Sequence, residues 1–402
     1  RERGDELLHR LGSRAGLALL ASFLTSVSFA DEADMASGIG DEQLAEIGKR
    51  WAVALSGSDA ATLRTLIDFE GLGFRGAASL SSNETQRTSF ARGFASTGDR
   101  MIENWISDVE SAEGQARFLK VHTFNGMRGP LVRYDLGEQG YNYVLLIVEA
   151  RAAAPRVVGL FLASDGQRLS DSIGAATQML TPPDESMIGR IFGLKTVDPD
   201  IAGMFRTIGR LRLLGRVDEA YALIVQLPDE IRNHRVMMNI SLPLASQLGE
   251  DVYREELGRL ARYHGDDPTA AFALIDHYFY EGDTRAAMEG ILSMERAFGT
   301  DAALAQLKAS VALEAGDLSR ARDYMQDAVE LEPDNEVMRW TLLGVLMMTN
   351  QNAAAIRVLE GLENDFGYAF DASEFFDDAE YASFLKSPEF TAWIAKRSAA
   401  GP

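Results

Sequence analysis

The residues of this chain that could carry chemistry are few, and the most suggestive of them are polar. His122, Arg133 and Tyr143 fall in three successive segments whose composition is that of β-strands. A pocket between such strands and neighbouring helices would allow a histidine to act as a general base. The sequence does not fix which way each side chain points, so a structural or solvent-exposed histidine is the alternative interpretation.

Other patterns associated with catalysis or cofactors are weak. The run GLGFRG at Gly71–Gly76 has the spacing of a dinucleotide-binding loop, but that motif requires a preceding strand, and a helix is predicted there. We therefore interpret the run as a loop between two helices. The histidines are not at metal-ligand spacing, and a chain without cysteine cannot use thiolate chemistry, disulfides or cysteine-bound zinc. We expect neither a metal nor a cofactor.

The charge balance is strongly acidic. The 402 residues include 39 Lys+Arg and 60 Asp+Glu, which gives a formal net charge of −21. Nucleic-acid backbones and anionic membrane surfaces repel such a chain, so neither is expected as a main partner. Between Arg357 and Lys386 there are eight acidic residues and no basic one. A solvated face is the expected role of this cluster. A calcium site is the alternative, although the EF-hand loop pattern is missing.

The second half of the chain carries an internal repeat. Glycine or asparagine recurs between amphipathic segments at spacings of 34, 33, 34 and 34 residues, namely at Gly215, Gly249, Gly282, Gly316 and Asn350. These residue types adopt a positive φ easily, which a tight helix–helix turn requires. Five positions later most units have a small residue that would let paired helices approach closely: Ala220, Ala287, Ala321 and Ala355.

This half resembles the tetratricopeptide family of helix–turn–helix repeats over residues 201–400. The unit Ala302–Asn335 carries the small and apolar positions of that family in order, and Trp340 starts a further matching unit. The unit at 236–268 departs from the pattern, because Pro243 lies inside its first helix. The resemblance implies an all-α helical-repeat solenoid, closed by a cap that we place between Phe370 and Arg397.

The same resemblance implies a binding surface on the concave face of the array, which is lined by the first helix of each repeat. The inward positions carried over from the family are Phe205, Arg212, Asn239, Gln247, Phe272, Asp276, Phe279, Tyr280, Gln306, Ser310, Trp340 and Met347. A groove with aromatic and methionine side chains suits a peptide or a partner helix. For each residue the alternative is that it packs neighbouring repeats together, and this applies to Phe279 and Trp340 especially.

The first half has the pattern of an α+β domain at residues 41–180. Helices are predicted over Leu44–Leu55, from Ser58-Asp59 onward, and between Phe90 and Ile106. Strands bounded by turn residues are predicted at Arg117–Phe124, Pro130–Leu136, Tyr141–Glu149 and Arg156–Ser164, followed by a helix at Leu169–Leu180. This order predicts helices packed on a curved antiparallel sheet. The fragments GPLVRYDL and GYNYVLLIV are similar to the nuclear transport factor two-like cone that precedes tetratricopeptide arrays in exported bacterial proteins.

The first residues have the pattern of an export signal. Arg10 and Arg14 precede the apolar run Ala15–Val27, and small residues occupy the cleavage positions of Ser28–Ala30. We predict a signal peptide at 1–30 cleaved after Ala30, an acidic tail at 31–40, a linker at 181–200 and the array with its cap at 201–402. The protein would then be periplasmic or secreted, with no stable membrane insertion after cleavage. A buried or membrane-anchoring helix is the alternative for the apolar run.

Three functional hypotheses follow from these patterns. The first is a non-enzymatic, exported interaction scaffold that binds a protein or peptide partner through the array. The alternative is a small-molecule-binding or enzymatic cone that the array docks to a partner. The third is a structural component of a larger envelope complex. The identity of the partner and the oligomeric state stay open.

Overall fold

A computed structural model describes most of the chain after the predicted signal peptide. The described residues are 38–79, 83–137, 140–164, 166–180, 188–189, 192–196, 198–267, 270–370 and 382–400. The predicted signal peptide and most of the predicted acidic tail lie outside these ranges. Contacts divide the described residues into two compact units, one that ends at His277 and one that begins at Tyr278. The predicted linker at 181–200 stays a prediction.

The first unit begins with helices that pack on a sheet. Their bounds are Asp41–Ser56 (α1), Ala60–Leu66 (α2), Phe69–Gly76 (α3), Glu84–Ala95 (α4) and Gly98–Ser111 (α5), with a 3₁₀ turn at Ala77–Ser79. Helices α1 and α2 confirm two of the predicted helices. Asp59 caps α2, because its carboxylate accepts a hydrogen bond from the Thr62 amide at 2.9 Å.

Two predictions in this region are wrong. The run GLGFRG is not a loop but helix α3, and Asp68 caps it by accepting a hydrogen bond from the Gly71 amide at 2.8 Å. Gly73 serves close packing there, because a methyl group at this position would lie 2.9 Å from the side chain of Phe94. The single helix predicted between Phe90 and Ile106 is in fact the pair α4 and α5. The break lies at Ser96 and Thr97.

The sheet is an antiparallel meander. Its strands are Gln115–Phe124 (β1), Met127–Asp135 (β2), Tyr141–Glu149 (β3), Arg156–Leu162 (β4) and Gln167–Arg168 (β5), and their spatial order is β1-β2-β3-β4-β5. Helix Leu169–Leu180 (α6) follows. The four predicted strands and this helix are confirmed, whereas the two-residue β5 was not predicted. The register of β1 shifts at a bulge between Phe118 and Lys120.

One face of the sheet forms the core with the helices. Val132, Val144 and Leu146 are fully buried there against helix residues such as Trp51. The indole Nε1 of Trp51 donates a hydrogen bond to the hydroxyl oxygen of Tyr134 at 2.9 Å. Burial raises the pKa of Tyr134, so this phenol stays neutral in the apolar layer.

The opposite face of the sheet is buried as well. Arg133 has no exposed surface and donates from Nη2 to Oδ2 of Asp135 at 2.9 Å, which neutralises the buried guanidinium. Next to it, the ring of Tyr143 meets the edge of Phe272, with centroids 6.5 Å apart. Phe272 belongs to a helix of the array, so that helix contributes to the cover of this face.

The chain continues as a run of helices that forms a helical-repeat array. In the first unit these are Pro199–Leu213 (α7), Val217–Val225 (α8), Asp229–Arg232 (α9), Arg235–Leu248 (α10) and Glu250–His264 (α11), and Ala271–Glu281 (α12) spans the unit boundary. In the second unit they are Thr284–Phe298 (α13), Ala302–Glu314 (α14), Leu318–Leu331 (α15), Glu336–Met348 (α16), Asn352–Phe366 (α17), Ala382–Leu385 (α18) and Pro388–Ala400 (α19). Among the described residues, no helix combines the length and the apolar character that crossing a bilayer requires.

Candidate protein-interaction surface

The turns inside the helix pairs all depend on a residue with a positive φ. The five predicted turn residues all have a positive φ: Gly215 at 68°, Gly249 at 120°, Gly282 at 68°, Gly316 at 72° and Asn350 at 54°. At Gly316 the amide donates to the Leu313 carbonyl at 2.9 Å, and the next amide, of Asp317, donates to the Ala312 carbonyl at 2.8 Å. These bonds satisfy carbonyl groups that the end of the first helix would otherwise leave unpaired.

The same two bonds recur at three other turns. They join Gly215 and Arg216 to α7, Gly282 and Asp283 to α12, and Asn350 and Gln351 to α16. Asp283 and Asp317 also cap the second helix of their pairs by accepting from the amides of Ala286 and Arg320 at 2.9 and 3.0 Å. One short segment therefore ends one helix and starts the next.

The predicted small residues near the start of the second helices are buried. Ala220, Ala321 and Ala355 have no exposed surface, and Ala287 is 1% exposed. A larger side chain at these positions would separate the helices, because a packed interior has no free volume for it. The burial of these four alanines is what the predicted close packing requires.

Five of the predicted groove residues are equivalent, because each lies ten residues before a turn residue. They are Phe205, Asn239, Phe272, Gln306 and Trp340. The three aromatic residues are buried, at 2%, 7% and 6% exposure, whereas Asn239 and Gln306 are half-buried. Aromatic and amide side chains thus alternate along the array, and the amides are the more exposed of the two.

Each of the three aromatic residues packs against an aromatic ring from outside the repeats. Phe205 meets Phe192, which precedes the array, at a centroid distance of 5.4 Å. Phe272 meets Tyr143 of the sheet.

Trp340 meets Tyr368 and Phe370, which follow the last helix pair, at 5.2 and 5.7 Å. The predicted cap begins at Phe370, but the covering roles of Phe192 and Tyr368 were missed, although aromatic residues immediately flanking the repeats were a usable signal. Trp393 of α19 extends this cluster, since its ring lies 6.1 Å from that of Phe370. The terminal helix α19 therefore helps to cover the last helix pair, α16 and α17.

The remaining predicted groove residues lie closer to the turns. In the first unit, Arg212 is half-buried, and burial lowers the pKa of its guanidinium to about 10. Gln247 is exposed and donates to the Pro243 carbonyl of its own helix at 3.0 Å. In the second unit Met347 is buried, whereas Phe279, Tyr280 and Ser310 are half-buried.

Asp276 lies on α12 and is only 4% exposed. The hydroxyl of Tyr253 on α11 donates to its Oδ2 at 3.1 Å, and Oδ1 has no hydrogen-bond partner within the described part of the chain. Burial raises the pKa of Asp276 well above that of an ordinary aspartate, although the Tyr253 hydrogen bond acts in the opposite direction. The side chain therefore fills the interior rather than forming part of an open groove.

The predicted polar cluster on the sheet is only partly brought together. Arg133 and Tyr143 are direct partners in the register of β2 and β3, and neither has exposed surface. His122 is half-buried and pairs with Gly129, which is four residues from Arg133 along β2. Within the described ranges, no three or more His, Asp or Glu side chains gather as metal ligands would. Five of the eight clustered acids, from Asp371 to Glu380, lie outside those ranges.

A comparison with protein families gives one match. The tetratricopeptide repeat family matches residues 312–367, which cover the turn at Gly316, helices α15 and α16, the turn at Asn350 and helix α17. The predicted tetratricopeptide array is confirmed over this stretch. No curated protein matches the chain.

The turn geometry generates a first prediction. Gly316→Ala places a side chain on a residue at φ 72°, where L-residues are strained by about 1–2 kcal/mol, so the free energy of unfolding falls by that amount. Gly316→Asn is the matched control, because the chain itself places asparagine at the equivalent position 350, and it should lose less than half as much. Urea unfolding followed by circular dichroism measures both, and equal losses would contradict the argument.

A second prediction concerns Asp276. Between the pKa of an unfolded aspartate and its raised pKa in the folded chain, only the folded state keeps the proton, so stability falls as the pH rises through this window. Asp276→Asn removes this dependence. At neutral pH the variant should have a larger free energy of unfolding than the wild type, by about 1.4 kcal/mol for each tenfold change in the proton affinity of Asp276 on folding. In acid, where the wild-type carboxyl group is protonated in both states, the two free energies of unfolding should converge.

Unfolding curves recorded across this pH range test the prediction. Asp327→Asn, on an exposed position of α15, is the control, and its stability should depend on pH as that of the wild type does. A variant at Asp276 that also tracks the wild type would show that the carboxyl group titrates normally.

Proposed function

We propose that the chain is an exported protein–protein interaction scaffold whose array binds a protein or peptide partner. The observation that carries the proposal is the repeated two-bond turn, together with the tetratricopeptide match at residues 312–367. Stacked helical repeats of this kind offer extended binding surfaces to partner chains. The alternative of a ligand-binding or enzymatic cone has less support, because Arg133 and Tyr143 have no surface that a ligand could reach. A structural role in an envelope complex is the third candidate.

The proposed contact surface in the second unit is the half-buried side of its first helices. Phe279 and Tyr280 contribute aromatic area there, and Gln306 and Ser310 on α14 contribute hydrogen-bonding groups. The Ser310 hydroxyl donates to the Gln306 carbonyl of its own helix at 3.2 Å, so its side chain is held along the helix surface. A partner that binds here therefore meets a surface that combines aromatic and amide side chains.

Site-specific photo-crosslinking tests the contact surface. A photoreactive residue replacing Gln306 should capture one defined protein, whereas the same residue replacing Gln326, which is exposed on α15, should not. With that protein purified, Ser310→Arg should raise the dissociation constant at least tenfold, or about 1.4 kcal/mol, because a long charged side chain would block the helix surface. Ser319→Arg on α15 is the matched control. Equal capture at both positions, or equal affinity of both variants, would contradict the proposal.

Export is a separate part of the proposal and rests on the sequence of residues 1–30. N-terminal sequencing of the full-length product expressed in a bacterium should give Asp31 as the first residue, in the periplasmic or extracellular fraction. Replacing Ala30 with a bulky residue should block cleavage, because the signal peptidase site requires a small residue there. A cytoplasmic product that keeps its N-terminus would refute export without bearing on the array.

A further inference from the structure

Strand β1 is the outer strand of the sheet, and the turn that follows it determines which backbone groups face outward. Asn125 and Gly126 have φ of 48° and 78° and form a two-residue hairpin turn, so Phe124 and Met127 are a hydrogen-bonded pair. In an antiparallel ladder such pairs alternate with non-bonded ones. The amide and carbonyl groups of Thr123, and then of Val121, therefore point away from the sheet.

The two halves of this edge differ in how they are covered. At the start of β1, the Ser56 hydroxyl accepts from the Ala116 amide at 2.8 Å and donates to the Ala116 carbonyl at 3.2 Å. Beyond the bulge, the outward groups of Val121 and Thr123 have no partner among the described residues. Thr123 is exposed and Val121 half-buried. An open strand edge of this kind is a template for pairing with another extended chain.

The charge of β1 is opposite to that of the protein as a whole. The strand Gln115–Phe124 contains Arg117, Lys120 and His122 and no acidic residue, in a chain of net charge −21. By register, Lys120 and His122 lie on the sheet face opposite the α1 side, whereas Val121 packs toward the helices. A strand added at this edge would place every second side chain beside Lys120 and His122.

We propose that the outer edge of β1 from Val121 to Phe124 binds an extended, acidic segment of a partner protein as an added β-strand. Val121 and Thr123 supply two amides and two carbonyls to the new ladder. Acidic side chains at alternate positions of the segment face Lys120 and His122, and β-branched side chains between them lie beside Val121. A second copy of this chain is disfavoured, because two β1 strands would bring their basic residues together. The bulge and Lys120 also limit uncontrolled pairing.

The experiment uses the full chain and a labelled peptide, Ac-Thr-Val-Glu-Val-Glu-Val-Thr-amide, with fluorescence anisotropy as readout. The control peptide carries Lys in place of both Glu. The glutamate peptide should bind at least tenfold more tightly than the lysine peptide. Val121→Pro removes one outward amide without removing a bond of the existing ladder, and it should weaken binding at least tenfold. Val121→Thr keeps the amide and is the matched control, which should bind as the wild type does.

Lys120→Glu provides an independent test should Val121→Pro fail to fold. This variant should reverse the preference, so that the lysine peptide binds more tightly. The proposal is overturned by equal binding of the two peptides, by no binding of either, or by a folded Val121→Pro variant of unchanged affinity. A dimer in solution that Val121→Pro dissociates would overturn it in favour of a second copy. None of these results bears on the array surface, which the crosslinking experiment tests separately.

Discussion

The array depends on a backbone constraint at the turn inside four of its helix pairs. A helix that ends leaves its last carbonyl groups without partners, and here two consecutive amides satisfy them only if the residue between the helices has a positive φ. The turn thereby fixes the direction in which the second helix leaves, and it brings a small residue such as Ala321 against the first helix. Because the same geometry recurs at four turns, residues the same number of positions before each turn are structurally equivalent in successive first helices.

Those equivalent positions explain how the array is joined to its flanking segments. Phe205, Phe272 and Trp340 each present an aromatic ring at the same position before a turn, and each ring packs on an aromatic residue from outside the repeats. Aromatic rings bury a large apolar area and gain further energy from edge-on geometry. The positions that would anchor a partner in an isolated array are therefore used within the chain. Among these five equivalent positions, the half-buried amides, such as Gln306, are the ones that we propose a partner contacts.

The features that could be predicted from the sequence are those that depend on residues close together in the chain. The turns at Gly215, Gly282, Gly316 and Asn350 were predictable because a positive φ is a property of one residue, and the strands were predictable because turn residues bound them. Helix α3 was missed because Gly73 acts through its contact with Phe94, which lies on another helix. The break before α5 was missed because it depends on side-chain hydrogen bonds: the Ser96 and Thr97 hydroxyls donate to the Gly93 and Phe94 carbonyls at the end of α4.

The candidate site was less predictable than the fold for the same reason. Tyr143 packs against a helix more than a hundred residues later, and the orientation of side chains along β1 depends on its bulge.

The repeat at residues 236–268 lacks the regular turn, and side-chain hydrogen bonds fix its geometry instead. At Gly249 φ is 120°, the two-bond pattern is not among the backbone bonds of the described residues, and Pro243 lies inside the preceding helix. Here a buried carboxylate joins the helices instead. Glu256 on α11 has no exposed surface and accepts from the hydroxyl of Tyr221 on α8 at 2.7 Å and from that of Ser241 on α10 at 2.9 Å.

Arg259 neutralises the charge of Glu256 and also donates to the Arg232 carbonyl at 2.7 Å, which ties α9 to the same centre. A buried carboxylate is tolerated only when its oxygens are all bonded and its charge is paired, so this centre accepts one arrangement of the surrounding helices. Apolar packing alone would accept several arrangements, since it is not directional. The second repeat thus takes its geometry from side-chain hydrogen bonds, whereas its neighbours take theirs from the backbone of the turn.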